Sequence, residues 1–167
     1  PSPNDIVIFQ PEFEEFGGEE RVILALSREL RAQGKPHSVL CYRDLIDLGK
    51  YAEWPLKVYQ LNPGSNPLKK VLSLRKCLAY LHQNGSPVPM LLNIQSAYHT
   101  GLAVKKPYHS RIPDTYSLLE FRPEGESAEK ASLRKLVSNA FRHFATGRGI
   151  RRSDRFITNT AALKNEM

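Results

Sequence analysis

The order of hydrophobic patterns along this chain predicts an α/β fold, a doubly wound parallel sheet with helices on both faces. Three observations carry that prediction. Short uninterrupted apolar runs, of which Asp5 to Phe9 (D-I-V-I-F) is the first, are what strands buried on both faces of a parallel sheet show. Segments with apolar residues at helical spacing, bounded by capping residues, stand between those runs. The two kinds of segment alternate along the sequence, as successive βαβ units require. At 167 residues the chain can bury roughly 70% of its unfolded surface around one core. No repeat or linker divides it, so residues 1–167 read as one domain.

Each element has its own local reason. After the first strand comes a loop of acidic and aromatic residues ending in Gly17-Gly18, and then a helix over Glu19 to Gln33 with Val22, Ile23, Leu26 and Leu30 on one side. Glu19 and Glu20 suit the positive first turn, Arg28 and Arg31 the negative last one, and Gly34 sits where a terminating glycine belongs. His37 to Tyr42 and Lys57 to Leu61 read as the second and third strands. Asn66-Pro67 opens a second helix that runs to about Gln83, with a cap followed by the residue best tolerated at the first helical position. Leu68, Val71, Leu74, Leu78 and Leu81 are assigned to its buried face, and Lys69, Lys70, Ser73, Lys76 and Tyr80 to the opposite one. Pro89 to Ile94 and Ser110 to Thr115 are the next strands. Ser127 to about Thr146 reads as a helix ending before Gly147, Arg155 to Thr160 as a last strand, and Ala161 to Met167 as the start of a helix that the sequence cuts off.

Composition excludes several classes. With 41% hydrophobic and 25% charged residues the chain is neither disordered nor fibrous. Its apolar runs are far shorter than the roughly 20 residues a membrane helix needs, and no basic and apolar leader opens it. Cys41 and Cys77 form no C-x-x-C or metal-type spacing, which fits two small apolar side chains in a reducing cytoplasm. The five histidines, His37, His82, His99, His109 and His143, have no partner at ligand spacing, so no metal is expected, and no cofactor fingerprint occurs. The net charge of +7 is uneven. Residues 1–95 carry 11 basic against 10 acidic residues and residues 96–167 carry 13 against 7, while the first 20 hold only acidic ones. That is not a uniform nucleic-acid footprint, and nucleic acid is disfavoured as a partner.

Two features point to ligands. A diglycine at a helix N-terminus lets a phosphate approach the backbone N–H groups and the positive end of the dipole, although glycine pairs also serve as plain loop-to-helix junctions. The second helix carries Lys69, Lys70, Arg75 and Lys76, which suit an anionic membrane surface as well as an ordinary solvated face. Arg148, Arg151, Arg152 and Arg155 form a further basic cluster. They read either as a solvated loop before the last strand or as part of a basic C-terminal half through which a non-catalytic α/β module binds an anionic ligand or nucleic acid, and steep salt dependence would mark the second.

The run Phe16 to Gly34, F-G-G-E-E-R-V-I-L-A-L-S-R-E-L-R-A-Q-G, resembles the G-G-x-E-R-x-x-x-x-L-A-x-x-L-x-x-x-G segment of family 4 retaining glycosyltransferases, which have the two-domain GT-B fold. Arg111 to Leu119 is similar to that family's fifth strand and loop, and Ser153 to Met167 to its A-D-x-x-I-x-N-S segment. The resemblance implies that the chain is the N-terminal, acceptor-side Rossmann-like domain, and that the donor-binding domain, with its E-x7-E element, lies outside the sequence. It implies transfer of a sugar from a nucleotide diphosphate to a carbohydrate or glycolipid acceptor with retention, by the whole protein and not by this chain alone. Gly17 and Gly18 match the loop that meets the donor diphosphate. Gln95, Ser96, Tyr98, His99, Asp114 and Thr115 follow strand ends and are the expected acceptor cleft, Asp114 serving otherwise as a turn cap before Thr115. The family's histidine at the end of the fourth strand is absent, since Asn93, Ile94 and Gln95 stand there. No catalytic residue is assigned. The expected location is cytoplasmic, with the inner membrane face as a docking surface.

Overall fold

The computed structural model describes residues 1–2, 4–83, 90–91, 101–103, 109–112, 140–141, 144–149 and 151–158. Eight strands and two helices have defined bounds: β1 (Ile6–Phe9), β2 (Glu12–Phe13), α1 (Gly18–Ala32), β3 (His37–Cys41), β4 (Arg43–Asp44), β5 (Val58–Gln60), α2 (Pro67–Gln83), β6 (Met90–Leu91), β7 (His109–Ile112) and β8 (Arg155–Thr158). A 3-10 turn spans Leu48–Tyr51.

Six strands form one sheet in the order β5-β3-β1-β6-β7-β8. Every neighbouring pair is parallel, with Ile8 opposite Val39 and Met90, and Ser110 opposite Met90's neighbour Leu91 and also Phe156. Within this sheet the spatial order by chain position is third, second, first, fourth, fifth, sixth. The chain therefore grows outward from β1 to one edge and then returns through α2 to start β6 on the other side. That reversal beside β1 is the topological switch point at which open α/β sheets hold ligands.

Strand alternation supplies two cores. On one face Ile8, Val39 and Cys41 pack with Ile23, Leu24 and Leu30 of α1. On the other, Val7, Phe9, Leu40 and Tyr42 pack with Leu74, Leu78 and Leu81 of α2. Successive side chains of a strand point to opposite faces, so the continuous apolar run at β1 feeds both layers. Each fully buried leucine is worth about 1.5–3 kcal/mol, which is why both faces need a helix.

The helix ends follow their sequence signals. Gly34, at φ +65°, closes α1: its N–H donates to the Arg31 carbonyl at 2.9 Å, and the Lys35 N–H to the Leu30 carbonyl at 2.9 Å, the paired bonds of a Schellman motif. Asn66 Oδ1 accepts the Leu68 N–H at 2.9 Å and caps α2.

Three expectations are corrected. The segment after β1 is more than a loop, because the parallel pairing of β1 and β3 resumes beyond Pro11 as β2 on β4. Pro11 has no N–H to give the ladder, but its carbonyl still accepts the Tyr42 N–H at 2.8 Å. Leu68 is 73% exposed and does not share the buried face of α2; six residues before Leu74, it lies about 120° away around the helix. Gly147 does not follow a helix end, since residues 144–149 are all helical. A different glycine serves packing there: a Cβ at Gly101 would overlap the carbonyl oxygen of Ala145, so these two helical segments approach each other closely. Residues 113–139 and 159–167 lie outside the described residues, and with them the start of the long helix and the terminal one.

Candidate functional site

The carboxyl end of β1 opens into a cleft of about 350 Å³ lined by Gln10, Pro11, Glu12, Glu14, Glu15, Glu20 and Lys70. Three elements build it. The chain leaving β1 supplies Gln10 to Glu15, the first turn of α1 supplies Glu20, and the first turn of α2 supplies Lys70. Its position at the switch point follows from the sheet order, and its size lies at the lower end for small-molecule sites.

Lys70 crosses from the second helix to Glu12, where Nζ lies 2.5 Å from Oε1. The Arg43 guanidinium stands 3.8 Å from the same oxygen. Lys70 Nζ also lies 5.4 Å from the centre of the Tyr42 ring, which meets Phe9 edge to face in the core beneath. The Lys70 and Glu12 side chains are only 19% and 22% exposed, so the pair is largely desolvated and holds α2 to the cleft wall. The remaining charges are carboxylates.

Gly17 is the N-cap of α1 and Gly18 its first residue. Both stand at the carboxyl edge of the sheet, as the sequence suggested. The Gly17 N–H, however, donates to Glu20 Oε2 at 2.9 Å. This is one half of a capping box, and the helix thereby neutralises part of its own positive end. Neither glycine has the positive φ that would demand it, since Gly17 sits at φ −129° and Gly18 is helical. A Cβ at Gly18 would meet nothing within 4 Å. Among the described residues, the space beside Gly18 is thus open. Beside the loop, Phe16 stacks on Tyr51 with ring centres 4.1 Å apart, and Arg21 lies 5.8 Å from the centre of the Phe16 ring.

Of the residues named from sequence, Gly17 and Gly18 reach this edge. Gln95, Ser96, Tyr98, His99, Asp114 and Thr115 lie outside the described residues. Lys69, Arg75 and Lys76 are exposed on α2, whereas Lys70 is turned to Glu12 and leaves that surface. Sequence reasoning passed over the cleft's own carboxylates. Their signal was available, for Glu12, Glu14 and Glu15 follow directly on a strand end, where ligands of this architecture bind. Lys70 had no such signal, being 58 residues from Glu12.

The chemistry of the cleft follows from its inventory. An ionised carboxylate only accepts hydrogen bonds, and each of its oxygens has two lone pairs. Four of them beside one paired lysine repel a phosphate and attract groups rich in O–H or N–H. Among the described residues no group of three or more His, Cys, Asp or Glu side chains is arranged to hold a metal ion, and no helix is long and apolar enough to cross a membrane. Compared with protein-family models, with curated proteins and with solved structures, the chain matches none.

Proposed function

We propose that this chain is the acceptor-side domain of a glycosyltransferase, one half of a GT-B pair, and that the cleft at the end of β1 holds the sugar that receives the transferred residue. The observation that carries the reading is the acidic lining at the switch point. Sugar hydroxyls are donors around most of the ring, and the exposed carboxylates of Glu14 and Glu15 offer acceptors to match, whereas Glu12 and Glu20 are engaged by Lys70 and the Gly17 N–H. Gln10 adds an amide, which both donates and accepts. The donor's diphosphate is excluded from this cleft by charge. It belongs to the opposite domain and meets this one only at the open face of Gly18.

Transfer in this scheme rests on holding two substrates in a reactive geometry. The Lys70–Glu12 pair fixes the cleft wall, and Gly18 leaves room for the diphosphate to approach α1 without a side chain between them.

Titration of the chain with neutral mono- and disaccharides, followed by amide shifts, tests the reading. Shifts confined to residues 10–20 and Lys70 are expected, and they should disappear in Glu14→Gln/Glu15→Gln while the fold is retained. Saccharides that leave these amides unmoved would overturn the assignment of the cleft. Gly18→Val should leave the melting temperature of the chain unchanged and reduce transfer at least tenfold in the two-domain protein; an unaffected rate would remove this loop from the donor site.

A further inference from the structure

Tyr51 is 48% exposed, and yet it is held in a fixed place. Leu48, which opens the same 3-10 turn, is fully buried, and its N–H donates to Asp44 Oδ2 at 2.8 Å. The turn is therefore anchored to the end of β4. The Tyr51 ring stacks on Phe16 with centres 4.1 Å apart and planes 10° from parallel. Phe16 in turn packs on the core under α1 and has the Arg21 guanidinium over it, 5.8 Å from the ring centre. With one face on Phe16, the Tyr51 ring turns its other face and its rim to solvent. A flat apolar surface organised in advance loses little side-chain freedom when a ligand settles on it.

Phe16 follows directly on Glu14 and Glu15, the two exposed carboxylates of the cleft. The support of the aromatic stack and the exposed acceptors are thus consecutive residues of one loop. Two kinds of ligand present a flat face to such a ring, a nucleobase and a pyranose. Sites that stack bases also supply cations for the phosphates. Here Glu14 and Glu15 precede α1 and Glu19 and Glu20 open it, while Lys50 Nζ, beside Tyr51, lies 3.0 Å from Asp47 Oδ2. That balance favours a neutral ring. A pyranose has C–H groups across its face, which meet the negative face of the aromatic quadrupole, and hydroxyls around its rim for the carboxylates.

From this juxtaposition we infer that Tyr51, backed by Phe16, is a second sugar subsite, so that the acceptor is a saccharide of at least two neutral rings, one in the cleft and the next stacked on Tyr51. The inference rests on the cleft being the acceptor site, and it extends recognition past the ring that receives the transferred residue.

Titrations of the chain with methyl glycosides of glucose, galactose and mannose, and with maltose, lactose and mannobiose, followed by amide and aromatic shifts, test it. The disaccharide that suits the cleft should bind about tenfold more tightly than its monosaccharide and should move the Tyr51 ring signals, which the monosaccharide leaves in place. Tyr51→Ala should lower disaccharide affinity to the monosaccharide level. The monosaccharide shifts at Glu14 and Glu15 should persist in that variant, which also reports a retained fold. Tyr51→Phe, which keeps the ring, should bind as the native chain does. Cleft shifts with no gain from the second ring, or a gain that survives Tyr51→Ala, would overturn this inference and leave the assignment of the cleft standing. Saccharides that move neither the cleft nor Tyr51 would overturn both. Uridine monophosphate that moves the Tyr51 ring more than any disaccharide would replace the sugar subsite with a base-stacking one.

Discussion

Ser27 and Ser38 are both buried hydroxyls, and the difference between them follows from their neighbours. Ser27 Oγ lies 2.6 Å from His37 Nε2 and accepts the Trp54 indole N–H at 3.3 Å. The other nitrogen of His37, Nδ1, sits 3.0 Å from the Lys35 carbonyl, an acceptor only, so Nδ1 carries the proton and Nε2 accepts the Ser27 hydroxyl. The chain joins α1, β3 and the segment around Trp54. Ser27→Ala should cost about 1–3 kcal/mol in a denaturant titration, because it leaves the indole N–H and Nε2 unsatisfied. Ser38 Oγ, by contrast, is buried without a hydrogen-bond partner among the described residues. Removing an unpaired hydroxyl relieves its desolvation, so Ser38→Ala should be neutral or stabilising by up to about 1 kcal/mol. A loss as large as that of Ser27→Ala would contradict the assignment of these contacts.

Cys41 gives a pH dependence at the same scale. Burial first, and then the charge of Asp44, pushes its thiol up to about 12 from the ordinary 9.0. The folded value is the higher one, so the associated stability is complete below pH 9. It declines once the unfolded thiol ionises and is gone when pH has risen through about 12. Between pH 9 and 11 the unfolding free energy of the native protein should fall more steeply than that of Cys41→Ala, by up to about 1.4 kcal/mol per pH unit. Parallel curves would show that the buried thiol contributes no linkage.

At the scale of elements, the helix boundaries were legible because caps are local. Asn66-Pro67 and Gly34 each state an end in one or two residues, and α1 and α2 begin and stop within a residue of where those signals put them. Gly34 is the position where the residue type is dictated by backbone geometry. At φ +65° a Cβ is strained although no atom lies within 4 Å of it, so Gly34→Ala should destabilise by about 1 kcal/mol through the backbone alone. Thermal unfolding of that variant against Gly18→Ala separates conformation from space, since Gly18 has neither a positive φ nor a neighbour. Strands β2 and β4 were not legible. Two residues give no periodicity, and their pairing depends on β1 and β3 having already set the register.

For the molecule as a whole, the cleft is built by the chain leaving β1 and the first turns of α1 and α2. If this chain is half of a two-domain transferase, it should fold and yet transfer no sugar by itself, because the effective concentration of donor beside acceptor needs both walls. With the Gly17 N–H engaged by Glu20 and carboxylates lining the cleft, the affinity of the chain for nucleotide-sugars should be no better than about millimolar. Calorimetric titration measures it. Micromolar binding, or turnover by the purified chain, would place the donor site within these residues.

The sequence by itself determined where the six strands of the main sheet and helices α1 and α2 lie, because burial on both faces, helical periodicity and capping are written in adjacent residues. It also determined that Gly17-Gly18 reaches the carboxyl edge of the sheet, since in a parallel sheet every strand's carboxyl end lies on the same side. Only the tertiary structure decided what that edge contains. Lys70 reaches Glu12 because α2 crosses from β5 back over the sheet, a path fixed by the burial of Leu74, Leu78 and Leu81 and by no local signal. The same crossing decided which leucines of α2 are inside. A helix with apolar residues on two sides can bury only the side whose partners, Phe9 and Tyr42 among them, are already in place, and Leu68 and Leu72 are left facing outward.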